Sequence, residues 1–318
     1  MHPPSSSVPV LGLDPRTGTE QWRVEPTERE QFSILADGGG AVCIGVAVED
    51  WYWIQRLRMV EVATGAIRWE RDLPFEGAIY ENSLAVLVGE SAVYLRAANT
   101  VYINGTWDDP YPQHALVALD AQSGTELWRA SLPPDPDQRE LVEHQGSLYV
   151  ASAGNVVHCL NAATGAEHWR YDLGLSYSYR VTEHLIYVPS GDGVLHALDT
   201  ATGVERWCYP VDPPPMSWDD DWPTPFVVDG NVVYAVFNWE QSAEEGRYET
   251  LHELIEQQDF PFPLVDTVIT ALDARTGIER WSAQPGGRIY RIAKTGESLL
   301  FEGGGSNNVV SAIELPPR

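Results

Sequence analysis

The chain has 318 residues, 46 acidic side chains against 20 basic ones, and a net charge of −26. Such a field repels phosphate, so nucleic acid is not an expected partner, whereas a basic protein, a cationic small molecule or Ca²⁺ suits it. No run of 18 apolar residues occurs and the start Met1-His2-Pro3-Pro4 has neither a basic nor an apolar region, so neither a membrane-spanning helix nor a signal peptide is expected and the chain reads as cytoplasmic.

The first predicted strand runs from Val8 to Leu13 and leads into Asp14-Pro15-Arg16-Thr17-Gly18, with Trp22 following. The phrase returns at Glu61, Gly65 and Trp69, at Asp120, Gly124 and Trp128, and at Asn161, Gly165 and Trp169. It returns again at Asp199, Gly203 and Trp207, and at Asp273, Gly277 and Trp281. The internal spacing never changes, while the interval between copies varies from 38 residues (161 to 199) to 74 (199 to 273). A fixed phrase with variable spacers marks a repeat architecture with insertions on one side. The acid or amide ends a strand and offers its side chain to amides two residues on. Gly takes the positive-φ position, and Trp on the next strand supplies a large wedge for packing between sheets.

Further strands lie upstream of each phrase. Ser147–Val150, Leu185–Val188, Val232–Ala235 and Ser298–Phe301 alternate or run apolar, and segments such as Tyr179-Arg180-Val181 and Thr224–Val228 precede them. Each unit therefore has four antiparallel strands, A to D, with Trp on D. The expected fold is all-β: one β-propeller domain over 1–318, of six blades, its ring closed by joining N- and C-terminal strands. Seven blades is the alternative, because a surplus C strand, Val8–Leu13 or Val309–Leu315, is left over.

The repeated phrase resembles that of the PQQ-like (quinoprotein-type, BamB-like) β-propeller family, over most of the chain. The resemblance implies the fold and, for BamB-like members, a scaffold that binds assembly partners. Quinoprotein dehydrogenases of the family hold PQQ in a larger eight-bladed ring, against an adjacent-cysteine disulfide with Ca²⁺ beside it. Here Cys43, Cys159 and Cys208 stand apart, as buried free thiols would, and the chain is short. Neither PQQ nor dehydrogenase activity is therefore expected.

The Thr-Gly turns join C to D on one face, and the long insertions fall on the other, at 49–56, 104–114, 212–223 and 238–266. The last has helical spacing near 249–257, with Thr250 and Glu253 placed as a capping box. These insertions combine aromatic and acidic residues: Trp51 and Trp53, Trp107 with Asp108 and Asp109, Trp218 and Trp222 around Asp219, Asp220 and Asp221, and Trp239. The tryptophans suit stacking on sugars, aromatic groups or cations, or else pack the insertions onto the scaffold. The aspartates offer oxygen ligands to Ca²⁺ but match no EF-hand spacing, and a solvated acidic loop is the simpler reading. On strand A, Tyr179-Arg180 and Tyr290-Arg291, with Tyr80-Glu81, suit a carboxylate or phosphate at a channel mouth, or salt bridges between blades through Glu81, Glu140 or Glu183. His158 and His196 hold matching places on C strands, which implies packing. No nucleophile elbow, P-loop or His-Glu-x-x-His occurs.

The expected function is a monomeric recognition scaffold whose acidic, Trp-rich insertion face binds a protein or peptide with a basic surface. The alternatives are an enzyme of cyclase, lyase or isomerase type with a small-molecule pocket at the channel mouth, and a carbohydrate-binding module.

Overall fold

The computed structural model describes residues 8–48, 53–75, 79–80, 84–97, 102–103, 106–107, 115–132, 141–152, 156–172, 179–190, 194–210, 226–240, 265–285, 289–303 and 309–314. All regular elements among them are β-strands, in two compact units, Met1–Asp172 and Leu173–Arg318.

Unit 1 opens with a two-stranded sheet of β1 (Val10–Leu13) and β2 (Glu20–Val24). A meander follows of β3 (Glu30–Gly38), β4 (Ala41–Val48), β5 (Trp53–Glu61) and β6 (Ile67–Asp72), with β7 (Ile79–Tyr80) added to β5. The next sheet is β8 (Leu84–Val88), β9 (Ala92–Ala97), β12 (Ala115–Asp120) and β13 (Glu126–Ser131). Between β9 and β12 stands a separate hairpin of β10 (Tyr102–Ile103) and β11 (Thr106–Trp107). The unit ends with β14 (Leu141–His144), β15 (Ser147–Ser152), β16 (Val156–Asn161) and β17 (Glu167–Asp172).

Unit 2 holds two further meanders. They are β18 (Arg180–Val181), β19 (Leu185–Pro189), β20 (Val194–Asp199), β21 (Glu205–Pro210), and β22 (Phe226–Asp229), β23 (Val232–Glu240), β24 (Val265–Asp273), β25 (Glu279–Ala283). A three-stranded sheet of β26 (Ile289–Thr295), β27 (Ser298–Gly303) and β28 (Val309–Glu314) completes it. Both candidates for the surplus C strand are thus strands, β1 and β28.

The repeated phrase folds as its residue types dictate. Asp14, Asp120, Asn161, Asp199 and Asp273 each accept bonds through Oδ1 from the amides two and three residues on. Glu61, one methylene longer, instead accepts the Thr64 hydroxyl at 2.9 Å. The glycine four residues after the acid adopts φ between 68° and 72° in all six copies. The ladder between C and D shifts register at the same place each time, as at Cys159/Leu160 and Ala197/Leu198. That bulge sharpens the local twist and aims the D strand.

Within each unit, tryptophan then ties neighbouring sheets together. Trp22, Trp69, Trp128 and Trp207 donate their indole N–H to the carbonyls of Val62, Ala121, Ala162 and Ala274, at 2.7, 3.1, 2.9 and 3.1 Å. Each acceptor lies in the following phrase, and the ring rests on that phrase's glycine. On the B strands, Tyr94 and Tyr187 tilt against Trp128 and Trp207 at 6.0 and 5.8 Å and donate to the carbonyls of Ala162 and Ala274, which these tryptophans also use. The core therefore forms as apolar layers between neighbouring sheets. Leu57, Met59 and Trp69 meet Leu95 and Val117, and Tyr187, Ala197 and Trp207 meet Val233, Ala235 and Leu272.

Candidate functional site

Of the tryptophans expected in the insertions, three stand on described strands. Trp53 opens β5 and lies opposite Tyr80 of β7. Trp107 ends β11, opposite Tyr102 of β10. Trp239 lies on β23 opposite Asp266, because β23 and β24 stay paired out to Glu240 and Val265. The insertions are accordingly shorter than their expected bounds at 49–56 and 238–266. The cause is strand propensity: Trp, Tyr, Val and Phe favour the pleated backbone, so the ladders continue beyond the core. The two residues between β10 and β11 are Asn104-Gly105, the strongest short hairpin signal, and sequence reading passed over it. Trp51, Glu81, Asp108, Asp109, Trp218, Asp219, Asp220, Asp221, Trp222 and the helix expected near 249–257 lie outside the described residues.

The strand-A arginines take up separate partners. Tyr179 is buried, 1% exposed, and its carbonyl accepts from Arg180 Nη1 at 2.9 Å. The Arg180 guanidinium lies 5.6 Å from the Phe226 ring centroid on the neighbouring sheet of unit 2. Arg291, 81% exposed, faces its register partner Glu302 at 3.8 Å, beside a ladder irregularity that includes Tyr290. Glu183 lies 4.0 Å from His184, and Glu140 is outside the described residues.

A polar constellation that the sequence reading did not single out crosses β15, β16 and β17. Ser152 Oγ lies 2.8 Å from His158 Nε2, and His158 Nδ1 lies 2.8 Å from Glu167 Oε2. Hydroxyl, imidazole and carboxylate in this order can in principle move a proton off serine. Here Ser152 is 0% and His158 4% exposed, so no substrate carbonyl reaches the hydroxyl. The three side chains act as a clasp across strands B, C and D. Unit 2 repeats part of it: His196 Nδ1 lies 2.7 Å from Glu205 Oε2, while Ser190, at the place of Ser152, donates to the Val194 carbonyl at 3.0 Å. In the next sheet Thr270 replaces the histidine, and Glu279 accepts from the Tyr209 hydroxyl at 2.6 Å. Burial and that carboxylate push the Tyr209 phenol up to about 12. The sequence signal was the glutamate two residues after the phrase glycine, as at Glu167, Glu205 and Glu279.

A second charged cluster crosses β3, β5 and β6. Arg58 Nε meets Glu70 at 2.6 Å and its Nη2 meets Glu30 at 3.5 Å. Arg56 also meets Glu30, at 2.6 Å, and pairs with Glu70. The Arg58 guanidinium stacks 4.9 Å from the Phe32 ring. Burial raises the Glu30 carboxyl, but the Thr27 amide and the two arginines outweigh it and hold it below its ordinary value.

The described residues hold no group of three or more His, Cys, Asp or Glu placed to share a metal ion. Cys43 and Cys159 are buried and Cys208 exposed, all free, so they do not fit the adjacent-cysteine arrangement that a resident PQQ implies.

A family model described as outer membrane protein assembly factor BamB matches residues 113–247 and again 180–311, together more than half of the chain. No curated protein matches it in sequence. Among solved structures, quinohemoprotein alcohol dehydrogenase from Comamonas testosteroni is similar at a TM-score of 0.52 and 15% identity, over 91% of this chain and 60% of that one. BamB from Moraxella catarrhalis is similar at a TM-score of 0.47 and 15% identity, over 96% of this chain and 91% of that one. At such identities the likeness to the dehydrogenase shows a shared fold and no shared chemistry.

Proposed function

The chain belongs to the PQQ-like repeat family described as outer membrane protein assembly factor BamB, and from that membership we propose that it is a recognition scaffold that binds a protein partner. The family match carries the reading, and charge gives it direction. With 46 acidic against 20 basic side chains, the partner presents a basic surface. The acidic, Trp-rich end with the B–C connections is the binding face. Connections on a rigid β scaffold are where recognition residues collect. Among the described residues, the Ser152–His158–Glu167 constellation is sealed in the core and offers no nucleophile to a substrate.

The test is retention on the immobilised chain at about 0.15 M salt, followed by elution in rising salt. An unrelated protein of equal negative charge serves as control, with native mass spectrometry run in parallel. A stoichiometric basic protein held by the chain and not by the control supports the reading. Equal retention on both, or a small molecule retained at one equivalent, overturns it.

A further inference from the structure

The β1–β2 sheet opens unit 1, and among the described residues β1 pairs with β2 alone. One face of this sheet is docked. Val10 and Val24 are buried with Val42 and Ile44, and a β-carbon on Gly12 would lie 2.1 Å from the Trp22 ring. The other face carries Leu11 and Leu13, 41% and 54% exposed. The counterparts of Leu13 in the other phrases, Val60, Leu119, Leu160, Leu198 and Leu272, are 0–2% exposed. Within the units, a tryptophan of the preceding sheet helps to bury them: Trp69 shares a core with Leu119, Trp128 with Leu160 and Trp207 with Leu272. The same indoles rest on Gly124, Gly165 and Gly277 and donate to the carbonyl of the residue after the phrase acid or amide. The first phrase builds the same turn, with Gly18 at φ +68° and Asp14 bonded to the Arg16 and Thr17 amides. Yet nothing lies within 4 Å of where a Gly18 β-carbon would stand. Pro15 follows Asp14 and so offers the equivalent carbonyl.

We propose that this face docks a β-hairpin of a protein partner, whose outer strand seats a tryptophan on Gly18 and covers Leu11 and Leu13. The surface is distinct from the B–C ends, and the inference goes beyond the reading given for them. The chain itself states what fits: three equivalent seats take an indole with its N–H on a backbone carbonyl, flanked by apolar side chains of a stacked sheet. Arg23, opposite Leu11, is engaged by Glu20 and Glu25, so the face offers apolar contact and no free charge. Two adjoining leucines beside an open seat form a patch, which a lone exposed leucine does not. A second copy is the weaker occupant. Two chains of −26 repel each other, and Trp22, Trp69, Trp128 and Trp207 are already seated in their own chain.

The probe is a labelled peptide of residues 115–132, a C–D hairpin whose Trp128 fills such a seat, closed by a disulfide between added terminal cysteines. It is titrated by fluorescence anisotropy against the full chain, against Leu13→Glu, and against the control Val204→Glu at an exposed position of unit 2, each shown folded by circular dichroism. Saturation at one site is expected. A peptide carrying Trp128→Ala, and the Leu13→Glu chain with the original peptide, should each bind roughly tenfold more weakly, the loss of a central aromatic anchor, while the control is unchanged. Hydroxyl-radical footprinting should oxidise Leu11 and Leu13 in the free chain as readily as exposed Leu127, and the peptide should protect them. Failure to saturate, equal affinity for the two peptides, or undiminished binding to Leu13→Glu overturns the inference. So does protection of both leucines in a monomeric free chain, where the chain's own residues cover the face. A dimer in sedimentation that Leu13→Glu dissociates makes a second copy the occupant and overturns it as well.

Discussion

Trp69 covers Gly124 so closely that a β-carbon on that glycine would lie 2.7 Å from the indole Cδ2. Gly124 also has φ of +71°, where an L side chain is strained. Gly18 has nearly the same backbone, at +68°, but nothing lies within 4 Å of where its β-carbon would be. The two positions therefore separate backbone strain from tryptophan seating. Gly18→Ala should cost about 1 kcal/mol, the strain alone. Gly124→Ala should cost about 2–4 kcal/mol, because overpacking is added. Urea midpoints with unchanged slope would measure both. Equal losses would mean that the indole yields freely and is no fixed part of the joint.

The Ser152–His158–Glu167 clasp makes a second prediction. Removing the imidazole empties a buried site and strips Ser152 of its partner, so His158→Ala should destabilise by about 2–4 kcal/mol. Glu167→Gln, on a partly exposed carboxylate, should cost under about 1 kcal/mol. A fluorophosphonate probe should leave Ser152 unlabelled in the folded chain and label it no faster in His158→Ala. Stoichiometric labelling of the native protein would show that the site opens to reagents, and would return the enzyme reading to contention.

What the sequence disclosed was what is local. Asp120, Ser123 and Gly124 close their turn among themselves, so their spacing alone carried the motif. The indole's acceptor was hidden because it is a backbone carbonyl, Ala121 for Trp69, 52 residues away in the turn that follows a strand of the next sheet. Ser152, His158 and Glu167 lie within one short stretch, yet the ladder shift between Cys159 and Leu160 decides which strand-D residue faces the imidazole. Spacing does not contain that shift. Trp53 and Trp239 fall within the insertions expected at 49–56 and 238–266, whereas cross-strand pairing with Tyr80 and Asp266 decides their backbone. Tyr80 was grouped with strand A and instead sits on β7, paired with the preceding sheet.

Arg58 and Glu30 are both buried, and each satisfies the other together with Arg56 and Glu70. Arg58→Ala leaves Glu30 with less compensation and uncovers Phe32, so a loss of about 3–5 kcal/mol is expected. Replacing Arg58 by Met, which keeps the apolar stem over Phe32 but no charge, should cost nearly as much while Glu30 stays ionised, and clearly less when paired with Glu30→Gln. Thermal melts of the single and double variants would decide it. Additive losses would mean that the cluster is not a unit.

The phrase acids make stability depend on pH with a definite sign. Hydrogen bonds from Arg280, then Thr276 and the turn amides, hold Asp273 down at about 2. Asp199 is lowered by Arg206 and Asp120 by Ser123, in the same direction. A carboxylate depressed in the folded state binds protons more readily when unfolded, so its contribution is complete above the unfolded value near 3.9 and is lost as pH falls through the folded value. Glu143 runs the other way: burial raises it, so folding favours its protonated form and its contribution fades as pH rises through that raised value. The melting temperature should therefore hold steady from about pH 7 to about pH 5 and drop between about pH 4 and pH 2. Asp273→Asn, which makes that turn like the Asn161 copy, should lower the plateau slightly and soften the acid drop. Glu143→Gln should raise the melting temperature at neutral pH and leave it unchanged in acid. Calorimetric scans across that range would test all three, and a melting temperature that rises on acidification to pH 3 would sink the assignment of acid sensitivity to the turns.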